Sequence, residues 1–123
     1  LLIADTTFDA PVSARPDTRA MSKACGFIEA HLAEPVLVPE IARQAGVSER
    51  RLLSLFHASR GITPHAYLME RRVKRALALL QDTDTPISEI ALRTGFADQS
   101  AMTRWIRRLH GTTPARFRKA RMG

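Results

Sequence analysis

The sequence predicts an all-α protein of about seven helices, built as two similar halves joined by one long helix. Three observations predict it. Apolar residues recur at spacings of three and four through most of the 123 residues, and no alternating run of five or more supports a strand. Glycines and capping residues punctuate that pattern at regular points. The chain also repeats itself with a period near 50 residues.

Each element can be justified in order. Residues 1–20 hold breaks at Pro11, Ser13 and Pro16, show no sustained period and start without Met. Residues 1–18 are therefore expected to be a linker or the remnant of a preceding domain, and 19–123 the folded domain. Over 19–33, Met21, Ala24, Cys25, Ile28 and Leu32 form the stripe of an amphipathic helix. Pro39 stands near the start of a short helix, 40–45, which Gly46 stops. Ser48 caps a helix over Glu49–Arg60, and Gly61 ends it. Thr63 caps, and Pro64 opens, a long helix reaching about Gln81. The turn Asp82-Thr83-Asp84-Thr85-Pro86 launches another short helix, ended by Gly95. Asp98 caps a helix over Gln99–His110, with Gly111 as its stop, and Thr113-Pro114 starts a last one to about Lys119.

The repeat gives these elements a plan. Ile41-Ala42 matches Ile90-Ala91, and Gly46 matches Gly95. One extra residue then enters the second turn. Beyond it Leu52 matches Met102, Leu55 matches Trp105, Phe56 matches Ile106, Gly61-Ile62-Thr63-Pro64 matches Gly111-Thr112-Thr113-Pro114, and Tyr67 matches Phe117. A short helix, a tight turn with glycine and a longer capped helix make up the helix-turn-helix plan. The first unit is expected at about 38–61, the linker helix at about 63–81 and the second unit at about 86–111. A linker of about 18 residues would be roughly 27 Å long. That suits two helices entering successive major-groove faces about one DNA turn, roughly 34 Å, apart.

Helical periodicity assigns the faces. In the first unit Leu52, Leu55 and Phe56 are expected inside, with Ser59 at the margin; Arg50, Leu53, Ser54 and His57 lie opposite, with Arg51 on the flank. In the second, Met102, Trp105, Ile106 and Leu109 are expected inside; Ser100, Thr103, Arg104 and Arg107 lie opposite, with Gln99 at the leading end and Arg108 on the flank. Trp105 is expected to serve the core rather than to stack on bases. Arg and Gln make bidentate contacts to guanine and adenine edges. Base reading is accordingly expected from Arg50, Arg51, Ser54, Gln99, Ser100 and Arg104. Phosphate contact is expected at Ser48, His57, Asp98, Thr103, Arg107 and Arg108, with Ser48 and Asp98 acting first as caps whose neighbouring backbone N–H groups face the anion. The run Arg71, Arg72, Lys74 and Arg75 on the linker is expected to be a solvated face.

Charge and composition narrow the function. Nineteen Lys and Arg against twelve Asp and Glu give +7. Residues 1–40 hold three bases and six acids, whereas 41–123 hold sixteen bases and six acids. So basic a stretch suits a polyanion, nucleic acid before an acidic membrane surface. No run of 18 apolar residues exists to span a bilayer. The one cysteine, Cys25, excludes an internal disulfide, fits a reducing cytoplasmic setting and is expected on the buried stripe. Cys25 and His31 fall on different helix faces, and His57, His65 and His110 have no ligand-spaced Cys or acid, so no metal is expected. No nucleophile elbow, phosphate loop or dinucleotide fingerprint is present, so neither an enzyme nor a cofactor is expected. A basic helical module for RNA or for an acidic protein partner is the alternative; exposed aromatics on a sheet and Arg-Gly tracts, the usual signs of RNA binding, are absent.

From Val36 to Lys119 the chain resembles the DNA-binding domain of AraC/XylS-type transcription regulators. The second unit carries most of it: Ile90-Ala91, Gly95-Phe96-Ala97-Asp98-Gln99-Ser100, Thr103-Arg104 and Gly111-Thr112-Thr113-Pro114-Ala115-Arg116-Phe117-Arg118. The first matches in Ala42, Gly46-Val47-Ser48, Arg50, Leu52, Phe56 and Gly61-Ile62-Thr63-Pro64. The resemblance implies seven helices, sequence-specific binding of double-stranded promoter DNA, and activation through contacts with RNA polymerase. It also implies a sensor or dimerisation domain ahead of this segment. Arg104 falls at the family's frequent base-contacting arginine. The chain departs from the pattern at Ser54, where the second unit has Arg104, and at Ile106 and His110, where Phe is usual; Trp105 is expected to refill that volume.

Overall fold

The computed structural model describes residues 9–121, with side chains described from Thr18. Seven α-helices follow in order, and among the described residues there is no strand: α1 (Asp9–His31), α2 (Val38–Ala45), α3 (Glu49–Arg60), α4 (Pro64–Asp82), α5 (Ile87–Arg93), α6 (Gln99–His110) and α7 (Pro114–Ala120). None of these helices is long and apolar enough to cross a membrane. The chain divides into two compact units. Among the described residues, the first takes in 9–30 together with 36–64; the second takes in 31–35 together with 65–121.

The first helix departs from the sequence expectation by about ten residues. It is already helical at Asp9, where a linker is expected to residue 18. Proline in the first turn of a helix costs nothing, because its missing N–H would be an orphan there. Pro11 therefore permits a helix; Pro16 stands at the eighth position of α1, where proline removes one internal hydrogen bond, and the helix continues past it. Residues 1–8 of the expected linker lie outside the described residues. Along α1 the expected stripe is buried at Met21, Ala24 and Ile28, and Cys25 is half-buried. The Arg60 guanidinium donates to the Cys25 thiol at 3.8 Å.

In the first unit α2 packs on α3. Ile41, Ala42 and Ala45 of α2 are buried, as are Leu52, Leu55 and Phe56 of α3. Ala42 is small where the two helices meet, which lets them approach closely. Pro39 lies in the first turn of α2, and Gly46 caps its end at φ +76°. Ser59, placed at the inner margin by periodicity, is exposed. It lies in the last turn of α3, beyond the reach of α2.

The second unit repeats these bonds. Val47 N–H donates to Ala42 at 3.0 Å, and Phe96 N–H donates to Ala91 at 2.9 Å; Gly46 and Gly95 donate to Arg43 and Leu92 at 3.1 and 3.2 Å. α5 packs on α6, with Ile90, Ala91, Phe96, Met102 and Ile106 buried. α5 ends at Arg93 and is capped by Thr94, one residue before Gly95. The Thr94 side chain is fully buried, and its hydroxyl donates to the Ile90 carbonyl at 2.7 Å. A polar side chain is tolerated there because its donor is satisfied.

α4 supplies the floor of the second unit through Leu68, Met69, Val73, Ala76 and Leu80, all buried. Arg72 sits on the same stripe at 8 % exposure. Its Nε donates to the Leu32 carbonyl at 2.7 Å and one terminal nitrogen to the Glu34 carbonyl at 2.8 Å. Of the four basic residues expected to form a solvated face, Arg72 is thus a clamp inside the fold. Burial pulls its guanidinium below the ordinary arginine value, but arginine remains charged at neutral pH. At the other end of α4, Arg118 of α7 donates to the Leu80 and Thr83 carbonyls at 3.2 and 3.0 Å. Arg121 reaches Leu80 at 2.8 Å and pairs with Asp84. Two cations thereby satisfy carbonyls that a helix end leaves open.

Candidate nucleic-acid interface

The second helix of each helix-turn-helix is capped, twelve residues long, and has one buried and one exposed face. For α3 the Ser48 hydroxyl accepts the Arg51 N–H at 3.1 Å, and Gly61 closes the other end at φ +71°. For α6 the Asp98 carboxylate accepts the Ala101 N–H at 2.8 Å, and Gly111 closes it at φ +67°. These caps fix where each helix starts, and hence which residues face outward.

On α3, Arg50, Leu53, Ser54 and His57 are all exposed, and Arg51 is half-buried on the flank. On α6, Gln99, Ser100, Arg104, Arg107 and Arg108 are exposed, and Thr103 is half-buried. The structure therefore brings the expected base-reading residues together on two outward faces, with Arg51 turned furthest toward the protein. Ser48 and Asp98 are exposed caps. The Asp98 carboxylate is committed to its own helix, so an incoming phosphate would meet neighbouring N–H groups there rather than the side chain.

Two residues of α6 differ from expectation. Leu109, expected inside, is 37 % exposed. Trp105, expected in the core, is half-buried. Ile106 is fully buried and fills the core position itself, so no refilling by the indole is needed. The indole lies edge-on to His65 of α4, with ring centroids 6.3 Å apart at 69°. The Arg108 guanidinium sits over its other side, 5.2 Å from the ring centroid, a cation–π contact. Arg104, Trp105, Arg107 and Arg108 line an open recess of about 530 Å³. The aromatic is thus a support that orients a cation at the edge of the exposed face. Sequence periodicity could not show this, because position 105 lies between the two faces.

Two other residues have roles that the sequence reading does not assign. Arg72 falls at the spacing of the apolar stripe, three after Met69 and four before Ala76. A charge on such a stripe was the available signal. Leu53 was placed on the outer face without being given a role there.

Comparison with known proteins places this geometry. The pattern of a family described as a helix-turn-helix domain matches residues 41–120. The probable transcriptional regulator LumQ of Photobacterium leiognathi is 34 % identical over 91 residues, covering 74 % of this chain and 37 % of LumQ. The probable transcription factor PqrA of Proteus vulgaris is 36 % identical over 86 residues, covering 70 % of each protein. The chain thus spans about a third of LumQ and most of PqrA. Among solved structures, an AraC-type transcriptional regulator from Chromobacterium violaceum superposes with a TM-score of 0.80 at 33 % identity, over 89 % of this chain and 96 % of that one. The DNA-binding domain of AdpA, solved with a target DNA, gives 0.78 at 31 %, over 82 % and 91 %. Two capped helix-turn-helix units with the same internal bonds, together with these likenesses, show that the chain belongs to the AraC/XylS-type helix-turn-helix family.

Proposed function

We propose that this chain is the sequence-specific, double-stranded DNA-binding part of a cytoplasmic transcription activator, with α3 and α6 each reading the major groove. The observation that carries the reading is the doubled arrangement. Two capped helices each bury one face and present arginine with small polar residues on the other: Arg50, Ser54 and His57, and Gln99, Ser100 and Arg104. The likeness to a domain solved on its target DNA supports the same reading. Arg50, Arg51, Ser54, Gln99, Ser100 and Arg104 read base edges. Ser48, His57, Thr103, Arg107, Arg108 and the N–H groups beside Asp98 hold the phosphates and set the register. RNA polymerase is the proposed partner in activation, and a sensor or dimerisation domain is proposed to precede this segment in the whole protein.

The test is selection from a pool of random duplexes at about 0.15 M salt. Recovery of two distinct short boxes supports two reading helices. Recovery of one box makes α6 the reader alone. Binding without enrichment, fading uniformly as salt rises, overturns sequence-specific reading.

A further inference from the structure

The exposed face of α3 carries one large apolar side chain, which can hold neither a phosphate nor a base through a hydrogen bond. Leu53 is 45 % exposed, while Leu52, Leu55 and Phe56 beside it are at most 4 % exposed. The core of the first unit therefore makes little use of it. A single exposed leucine is ordinary on a protein surface. Leu53 differs in its surroundings. Arg50 lies one turn before it, His57 one turn after it, and Ser54 next to it, all exposed on the face proposed to enter the groove. The floor of the major groove offers one prominent apolar group, the C5 methyl of thymine.

We infer that Leu53 reads a thymine methyl, and that the two reading helices differ in chemistry. This rests on the proposed DNA reading of α3. The repeat sets Leu53 and Ser54 of α3 against Thr103 and Arg104 of α6. Thr103 is half-buried, so Arg104 leads on the second helix. Arginine suits guanine, whereas leucine offers no hydrogen bond to any base edge and fits a methyl. The chain should therefore require a thymine at the position under Leu53 in the box read by α3, and a guanine at the position under Arg104 in the box read by α6. The binding site is then asymmetric, and its two halves are told apart by different forces.

Replacing thymine by uracil removes the methyl and nothing else. The duplex recovered by selection is synthesised with each thymine changed to uracil in turn and titrated with the chain and with Leu53→Ala. The wild type should lose about four-fold at one thymine of one box, the order expected for one buried methyl. Leu53→Ala should bind thymine and uracil there equally while still preferring the selected duplex over a random one. Alanine has a high helix propensity, so α3 should persist, and an unchanged melting temperature checks this. Arg104→Ala should keep the thymine preference. The inference is overturned if the wild type prefers the selected duplex but tolerates uracil at every position, or if Leu53→Ala keeps the discrimination. If no duplex is preferred over random DNA, the DNA reading of α3 fails and the inference falls with it.

Discussion

Arg72 and Arg104 are the same residue type put to opposite uses, and burial decides between them. Arg72 lies inside the second unit with two backbone carbonyls as acceptors. Arg104 is exposed near the leading end of α6, where its planar fork is available to a flat acceptor pair. If it is bidentate to a guanine, Arg104→Ala should cost about 1–3 kcal/mol of binding and relax one base position. The check is titration with duplexes varied at each position. Equal losses on selected and random DNA would assign the residue to phosphate instead. Arg107, two turns from the leading end, is proposed to touch phosphate, and its replacement should weaken all sequences alike.

At the scale of the element, the two turns share a glycine at the same repeat position and bear different loads. Gly46 and Gly95 occupy the same repeat position and adopt φ of +76° and +91°. Around Gly46 a Cβ would meet nothing within 4 Å. At Gly95 it would overlap the Leu32 carbonyl oxygen and the Arg72 guanidinium, because the clamp passes directly over that turn. Gly46→Ala should therefore cost only the left-handed backbone penalty, about 1–2 kcal/mol. Gly95→Ala should cost clearly more, since the backbone oxygen cannot swing aside. Denaturant midpoints of the two variants make the comparison. Equal losses would mean that both the Leu32 backbone and the Arg72 clamp can move away. The helices themselves read well from sequence because their limits are local: Ser48 and Asp98 cap where expected, and Gly61 and Gly111 stop where expected. α1 runs longer than its breaks suggest: Pro11 falls in its first turn, which permits a helix, and the helix continues through Ser13 and Pro16.

For the whole molecule, the charge of +7 overstates what is available to a polyanion. Arg72, Arg118 and Arg121 spend their donors on backbone carbonyls of their own unit. The exposed bases on α3 and α6 are the ones poised to release counterions from DNA. Replacing Arg107 by Ala should flatten the plot of log affinity against log salt by about one unit. The same change at Arg118 should leave the slope nearly intact and lower stability instead. Fluorescence titrations across a salt series, paired with thermal melts, separate the two effects. A full-unit change of slope for Arg118→Ala would show that its clamp opens on DNA.

The sequence by itself determined the seven helices, the doubled plan and the two outward faces. These follow from 3.6-residue periodicity, capping chemistry and a repeat, all legible within a few turns of chain. Only the tertiary structure decided which arginines are spent and which are presented. It placed Trp105 at the rim rather than in the core, turned Arg72 from a surface charge into a clamp, and made Gly95 a point of close approach while Gly46 stayed open. Each of those outcomes depends on groups some forty residues apart or on a neighbouring helix. No local pattern encodes the Leu32 carbonyl lying against Arg72 and Gly95, because it is the packing of the second unit that brings the three together.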